Sequence, residues 1–408
     1  MKVKKRIVLF AALAVVLWVF PASAQDQWEF YGSARMETFY NAGKAATLMN
    51  AHDNGNLNED DAETEWRLSP IARIGAKVKH GHVSGYFEYG PGVNLRKLYA
   101  TWRPWGDQSW ELLVGQTYTP INVFYSGQTY AADEGLLSTG QMYDGRHPMV
   151  AVSYRGFKLA FINVNKAGNL GTMFPSEPGG DLDSPGDVDV LLPKIAASYH
   201  FGADNFFFDL VGGYQTYRIE NPNGFGSDLN VDSFVFGGGG GVNFGPAYFK
   251  AAGYYGQNIG NYGMWTNANG YFGKPILKPG APVAGLWTVD AASAVVTYNR
   301  DAAGALSYDT EDTTVWSALG VVGFNVNDMV RLEAGVGYID YDNDYFIADG
   351  KVTAAYLQAP ITFAKGVFVV PEIGYYNIDS RLDMLDDNGS ARDGEDFWYI
   401  GAKWQINF

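Results

Sequence analysis

The feature that most constrains this sequence is the regular alternation of apolar and polar residues in short segments. In the segment 28–40, Phe30 and Met36 alternate with Arg35 and Glu37. A period of two residues puts neighbouring side chains on opposite faces of a β-strand. The pattern predicts sixteen strands, near 28–40, 65–79, 82–90, 93–104, 109–119, 148–154, 157–165, 192–201, 205–219, 231–244, 247–258, 312–325, 329–341, 351–364, 367–379 and 396–408.

The connections between these segments alternate between tight turns and long polar loops. His80-Gly81 is typical of the turns, whereas 120–147 and 259–311 are the longest loops. Sixteen strands meandering in an open sheet would leave unpaired edges, so closure into a barrel is the simplest arrangement. Turns at one rim and loops at the other are typical of outer-membrane barrels. The uniform pattern predicts a single domain over 25–408.

The final segment shows what the two faces of such a barrel would contact. One face carries Trp398, Trp404 and Phe408 around aliphatic residues, and the other carries Tyr399 and Lys403. Aromatic residues at the ends of an apolar band are expected at a membrane interface. A polar second face suits a water-filled lumen and would be unfavourable in the core of a soluble β-sandwich. The predicted fold class is therefore all-β, a transmembrane antiparallel up-and-down barrel.

The N-terminus has the layout of a secretory signal peptide over 1–24. A basic start precedes the apolar run Ile7–Phe20, and small residues lead to a predicted cleavage after Ala24. The run has 14 residues, fewer than the roughly 20 that a membrane-spanning helix needs.

Charge and composition exclude several classes of function. The formal net charge is −15, and loss of the four cations of the leader makes it −19, which argues against a nucleic-acid partner. The absence of cysteine excludes disulfide scaffolds and thiolate chemistry. No Gly-x-Ser-x-Gly elbow is present, and the Gly237–Gly241 run does not fit a nucleotide-binding motif. We therefore expect no enzyme and no cofactor, and we interpret the glycine run as room for close packing against a loop or a neighbouring subunit.

Several local motifs carry a resemblance to a known family. These are the stretches Phe30–Arg35, Ala72–Lys77 and Val114–Pro120, together with the terminal Phe408. With them, the chain resembles the Gram-negative general porins, a family of sixteen-stranded trimeric diffusion channels. The resemblance implies a location in the outer membrane, contact with lipid and lipopolysaccharide, and assembly as a homotrimer. It also implies passive diffusion of ions and small hydrophilic solutes.

The loop 120–147 occupies the position of the constricting third loop of that family, and the resemblance implies that it folds into the barrel. We expect its carboxylates to lie across a gap from cations on the wall and to create a transverse field. The alternative for the arginines is solvation in the lumen or pairing between strands. The loop carboxylates are Asp133, Glu134 and Asp144, and the wall cations are Arg35, Arg67, Arg73, Arg96, Lys97 and Arg103, of which Arg96 has an ambiguous face.

The long loops raise two further expectations. Their excess of carboxylates predicts a weak preference for cations at the mouth of the pore. Solvation is the favoured interpretation of an acidic run without a calcium-loop pattern, and Ca²⁺ or Mg²⁺ bridging to lipopolysaccharide is the alternative. That run consists of Asp181, Asp183, Asp187 and Asp189.

Two alternative functions stay open at this point. A substrate-specific channel of eighteen strands would need another hairpin within 259–311, where Leu286–Asn299 is a candidate, although nearby prolines favour a lid. A barrel acting as a surface receptor or structural anchor would not conduct. Small residues on the outward faces, Gly32, Ala34, Ala72 and Ala76, suggest flat surfaces that could pack in a trimer.

Overall fold

The chain is described here by a computed structural model. The described residues are 27–43, 63–105, 109–164, 173–175, 182–222, 224, 226–266, 277–278, 291–302, 304–385 and 391–408. The predicted signal peptide lies outside them, as does much of the acidic loops. Within this described part, no helix has the length and hydropathy needed to cross a membrane.

The described residues form a closed barrel of sixteen antiparallel strands, as the alternation predicted. Three strands are each built from two segments, namely β2 with β3, β11 with β12, and β20 with β21. The barrel segments are β1 (Gln27–Gly43), β2 (Glu63–Leu68), β3 (Arg73–His80), β4 (Val83–Gly90), β5 (Asn94–Trp102), β6 (Trp110–Tyr118), β7 (Arg146–Tyr154), β8 (Phe157–Ile162), β11 (Asp187–Asp189), β12 (Lys194–Gly202), β13 (Phe206–Glu220), β14 (Leu229–Phe244), β15 (Ala247–Gln257), β18 (Thr314–Asn325), β19 (Arg331–Asp342), β20 (Gly350–Gln358), β21 (Ile361–Ala364), β22 (Val367–Leu385) and β23 (Ala391–Asn407).

The first and last strands close the barrel. Along β1, Ser33 lies opposite Asn407 and Gly43 opposite Phe397, while the other edge of β1 pairs with β2 and β3. Closure leaves neither strand with a free edge.

The remaining elements lie in the connections. They are two hairpins, β9 (Met173–Pro175) with β10 (Leu182–Pro185) and β16 (Val295–Arg300) with β17 (Leu306–Glu311), a 3-10 turn (Pro91–Val93), and two one-turn helical segments (Tyr130–Asp133 and Ile259–Tyr262).

The eighteen-stranded alternative is wrong. Within the described residues, β16 pairs with β17 and with no barrel strand. This hairpin packs instead on an apolar cluster where Tyr308 meets Tyr217 and Val231, residues near the loop-side ends of β13 and β14. An added barrel hairpin would have had to open the direct pairing between β15 and β18.

The outer surface confirms the predicted faces of the last strand. Trp398, Trp404 and Phe408 are exposed, whereas Tyr399 between them is fully buried on the lumen side. Of the four small outward residues, Ala34 is exposed, and the flat packing surface that they suggest stays a prediction. Gly32 lies beneath the ring of Phe408, and Ala76 is buried.

Candidate functional site

The loop between β6 and β7 folds into the barrel and fills much of its lumen. Tyr125, Tyr130, Leu136 and Met142 of this loop are buried in one apolar cluster with residues of the wall. The prediction of an inward-folded third loop is confirmed. The barrel therefore has a packed half, where the loop meets the wall, and a polar half.

Glycines in the strands make room for the loop. A Cβ atom on Gly237 would lie 2.7 Å from the sulfur of Met142, and one on Gly239 would lie 2.8 Å from the ring of Tyr125. The interpretation of the glycine run as a packing surface is confirmed for the loop. The closest approach is at Gly337, where a Cβ would lie 1.7 Å from the carbonyl oxygen of Thr139.

We expect Gly337→Ala to displace the loop, because the backbone oxygen of Thr139 cannot move independently of the segment around it. Single-channel recordings should then show additional conductance levels. Gly320→Ala is the matched control, since a Cβ there would have no neighbour within 4 Å. Identical recordings from both variants would contradict this account of the packing.

Two carboxylates of the wall bind the backbone of the loop. Glu372 accepts hydrogen bonds from the N–H groups of Thr129 (2.7 Å) and Tyr130 (3.0 Å). Glu333 accepts one from the N–H of Gly127 (2.8 Å) and is also bonded to Gln358. Charge-assisted bonds to buried N–H groups are among the stronger hydrogen bonds in proteins, so these residues fix the tip of the loop against β19 and β22.

The tip contains an unusual left-handed turn. Ala131, Ala132 and Asp133 have φ values of 50°, 70° and 55°, a conformation that costs an L-residue roughly 1–2 kcal/mol. The turn directs Asp133 towards the wall, where it accepts bonds from Arg35 (2.7 Å) and Lys403 (2.8 Å). Asp133 is thus in direct contact with its cations and not separated from them by a gap.

The side chains of the other two loop carboxylates are buried. Glu134 is buried against Ser138, whose N–H donates to it at 2.7 Å, and burial raises its pKa against the opposing effect of these bonds. Asp144 is buried against the amino group of Lys194 on β12, which also donates to the carbonyl oxygen of Tyr262 (2.7 Å). Both carboxylates therefore act inside the packed half.

A group of cations on β3 and β5 surrounds Glu88 of β4. Arg96 contacts its carboxylate at 2.8 Å, Lys97 at 3.7 Å and Arg73 at 3.9 Å. The register between β4 and β5 pairs Glu88 with Lys97 and Tyr89 with Leu95, so Arg96 is the extra residue of a β-bulge. The bulge resolves the ambiguous face of Arg96, because it lets two consecutive cations reach the same carboxylate.

The polar half contains a cavity of about 640 Å³ that is rich in cations. A second cavity of about 390 Å³ lies nearer the loop rim, and Tyr143 and Arg146 line both. The charged residues around the first cavity are six cations and one carboxylate, namely Arg35, Arg73, Arg96, Arg146, Arg331, Lys403 and Asp133.

The structure brings only part of the predicted set together. Arg67 pairs with Glu37 (2.9 Å) and Arg103 with Glu111 (2.8 Å), and neither cation lines the two cavities. Pairing between strands, the alternative interpretation, fits these two residues.

The acidic run at 181–189 is described only in part. Asp181 lies outside the described residues, and Asp183 is described by its backbone alone. Asp189 contacts Arg218 at 3.2 Å. No group of three or more metal-binding side chains occurs within the described ranges.

Several residues of the site could not be identified from the sequence alone. The alternation places Lys403 on the polar face, but its contact with Asp133 is visible only in the fold. Glu88, Glu333 and Glu372 each occupy a polar-face position of a strand, which is the one signal that could have indicated them.

Comparisons with known proteins agree with the barrel. No family model matches the sequence, and no curated protein matches it. Solved structures do: the outer membrane channel DcaP of Acinetobacter baumannii has a TM-score of 0.59 at 15% identity and covers 95% of this chain and 99% of its own. An outer-membrane protein of Vibrio cholerae, OmpT, has a TM-score of 0.51 at 15% identity, covering 94% and 99%. An anion-selective porin from Comamonas acidovorans has a TM-score of 0.51 at 12% identity, covering 94% and 100%. At these identities the likeness is one of fold, and the chain shares its barrel with channels and porins of the outer membrane.

Proposed function

We propose that the protein is an outer-membrane porin, a water-filled channel for passive diffusion of ions and small hydrophilic solutes. The observation that carries this proposal is the divided lumen. The third loop is bonded to the wall through Glu333 and Glu372, and the space left beside it is lined by charged groups. Charged side chains on the wall keep water in the space beside them. In a plugged barrel the same side chains would have to be paired or covered.

The constriction lies between the loop and the basic wall. Tyr143 and Arg146 line both cavities, so a solute passing from one cavity to the other would pass these side chains. The membrane location is supported by the exposed apolar outer face, which matches a bilayer core better than water. Assembly as a homotrimer remains part of the proposal, and crosslinking in detergent that yields only monomers would contradict it.

Planar-bilayer recording of the purified, folded protein tests the channel. We expect discrete current steps in potassium chloride and partial block by polyethylene glycols that are small enough to enter. Heat-modifiable gel mobility establishes that the sample is folded. A folded barrel that gives no steps would contradict the proposal and favour the alternative of a receptor or structural anchor.

A further inference from the structure

The charges around the constriction are strongly unbalanced. Six cationic side chains and a single carboxylate line the cavity on the short-turn side of the loop. The one carboxylate, Asp133, is shared between Arg35 and Lys403, so this group keeps one excess positive charge. The buried positions of Glu134 and Asp144 remove the acidic side that a transverse field would require.

The Glu88 cluster, which contains two of these six cations, does not cancel this excess. One carboxylate that is 2% exposed faces the three cations Arg73, Arg96 and Lys97. The more open members, Arg73 and Lys97, have side-chain exposures of 24% and 22%, and Arg73 lines the first cavity.

Arg146 extends the cationic surface to the junction of the two cavities. Its guanidinium donates to the hydroxyl of Tyr118 at 3.0 Å and stacks over the same ring, with 5.1 Å to the centroid. Lys97 lies over that ring as well, at 5.2 Å. Among the described residues, Arg146 has no ion pair with a carboxylate, and Asp144, which lines the second cavity with it, is bound to Lys194.

We propose that the constriction selects small anions bearing carboxylate or phosphate groups over cations of similar size. The proposal rests on the proposed channel function. The planar guanidinium group of arginine can donate two parallel hydrogen bonds to a carboxylate or a phosphate group. A low-dielectric wall concentrates the electric field of several like charges in the lumen. Every permeating ion meets this field, whereas charges at the mouth are screened beyond about 10 Å at 0.1 M salt. The proposal therefore predicts the opposite of the cation preference expected from the acidic loops.

Reversal potentials in a potassium chloride gradient provide the first test. We expect chloride preference in the unaltered protein and a shift towards potassium in Arg96→Gln and Arg73→Gln. Arg218→Gln is the control, because it removes a cation that pairs with Asp189 and Glu220 and lines neither cavity. Normal conductance with potassium preference would overturn the anion proposal alone, whereas absence of conductance would overturn the channel itself.

Solute flux into liposomes distinguishes the two anionic groups. Gluconate and glucose have similar size and differ in charge, so we expect faster entry of gluconate and a smaller difference in Arg96→Gln. Added inorganic phosphate should reduce the chloride current if phosphate groups are recognised; reduction by gluconate and not by phosphate assigns the site to carboxylates. Equal entry of gluconate and glucose, with neither anion reducing the chloride current, would overturn the proposal.

Discussion

Deletion of Ser126–Gln141 is expected to raise the single-channel conductance about two-fold or more, because the wall of a sixteen-stranded barrel encloses an aqueous channel when nothing fills it. The deleted segment carries the left-handed turn and the contacts to Glu333, Glu372 and Arg35. Removing it should also admit larger polymers.

The deletion should not prevent folding. The N–H of Val123 donates to the carbonyl oxygen of Met142 at 3.1 Å, so the two arms of the loop run side by side where the cut is made. Barrel closure depends on pairing between strands, and none of those pairs includes the deleted residues. If a folded deletion variant has unchanged conductance and unchanged polymer exclusion, the loop 120–147 does not form the constriction. The loop 259–311 would then be the candidate gate.

The barrel could be predicted from the sequence because its signals are local. Alternation with a period of two and short turns both depend on residues that are close in sequence. Closure follows because an open sheet of sixteen strands would leave two unpaired edge strands. Even the break in the second strand, between Leu68 and Arg73, preserves the alternation, since two extra residues return the chain to the same face.

The site could be predicted less well because it depends on register and on loop conformation. Arg96 faces the lumen through a bulge, and a bulge changes the parity without any change in composition. In the loop, the direction of Asp133 depends on a left-handed turn through two alanines, residues that give no sign of that conformation. The role of Glu372 depends on a loop more than two hundred residues away in the sequence.

Glu88→Gln is expected to lower the free energy of unfolding by about 3 kcal/mol, since it removes the shared partner of a buried cluster. Glu88 and Arg96 have side-chain exposures of 2% and 5%. Glutamine keeps the shape and can still accept one hydrogen bond, but three neighbouring cations would then repel each other without compensation. Urea titration followed by tryptophan fluorescence measures the change.

Glu111→Gln is the matched control, because it breaks the pair with Arg103, whose side chain is 42% exposed. An exposed pair of this kind contributes at most about 1 kcal/mol, so the two variants should differ clearly. Adding Arg96→Gln to Glu88→Gln should recover part of the lost stability, since it removes one of the uncompensated charges. Two results would contradict this account: a Glu88→Gln protein as stable as the control, or a double variant less stable than Glu88→Gln. Either would mean that lumen water already relieves the repulsion among these cations and that Glu88 does not hold them at the wall.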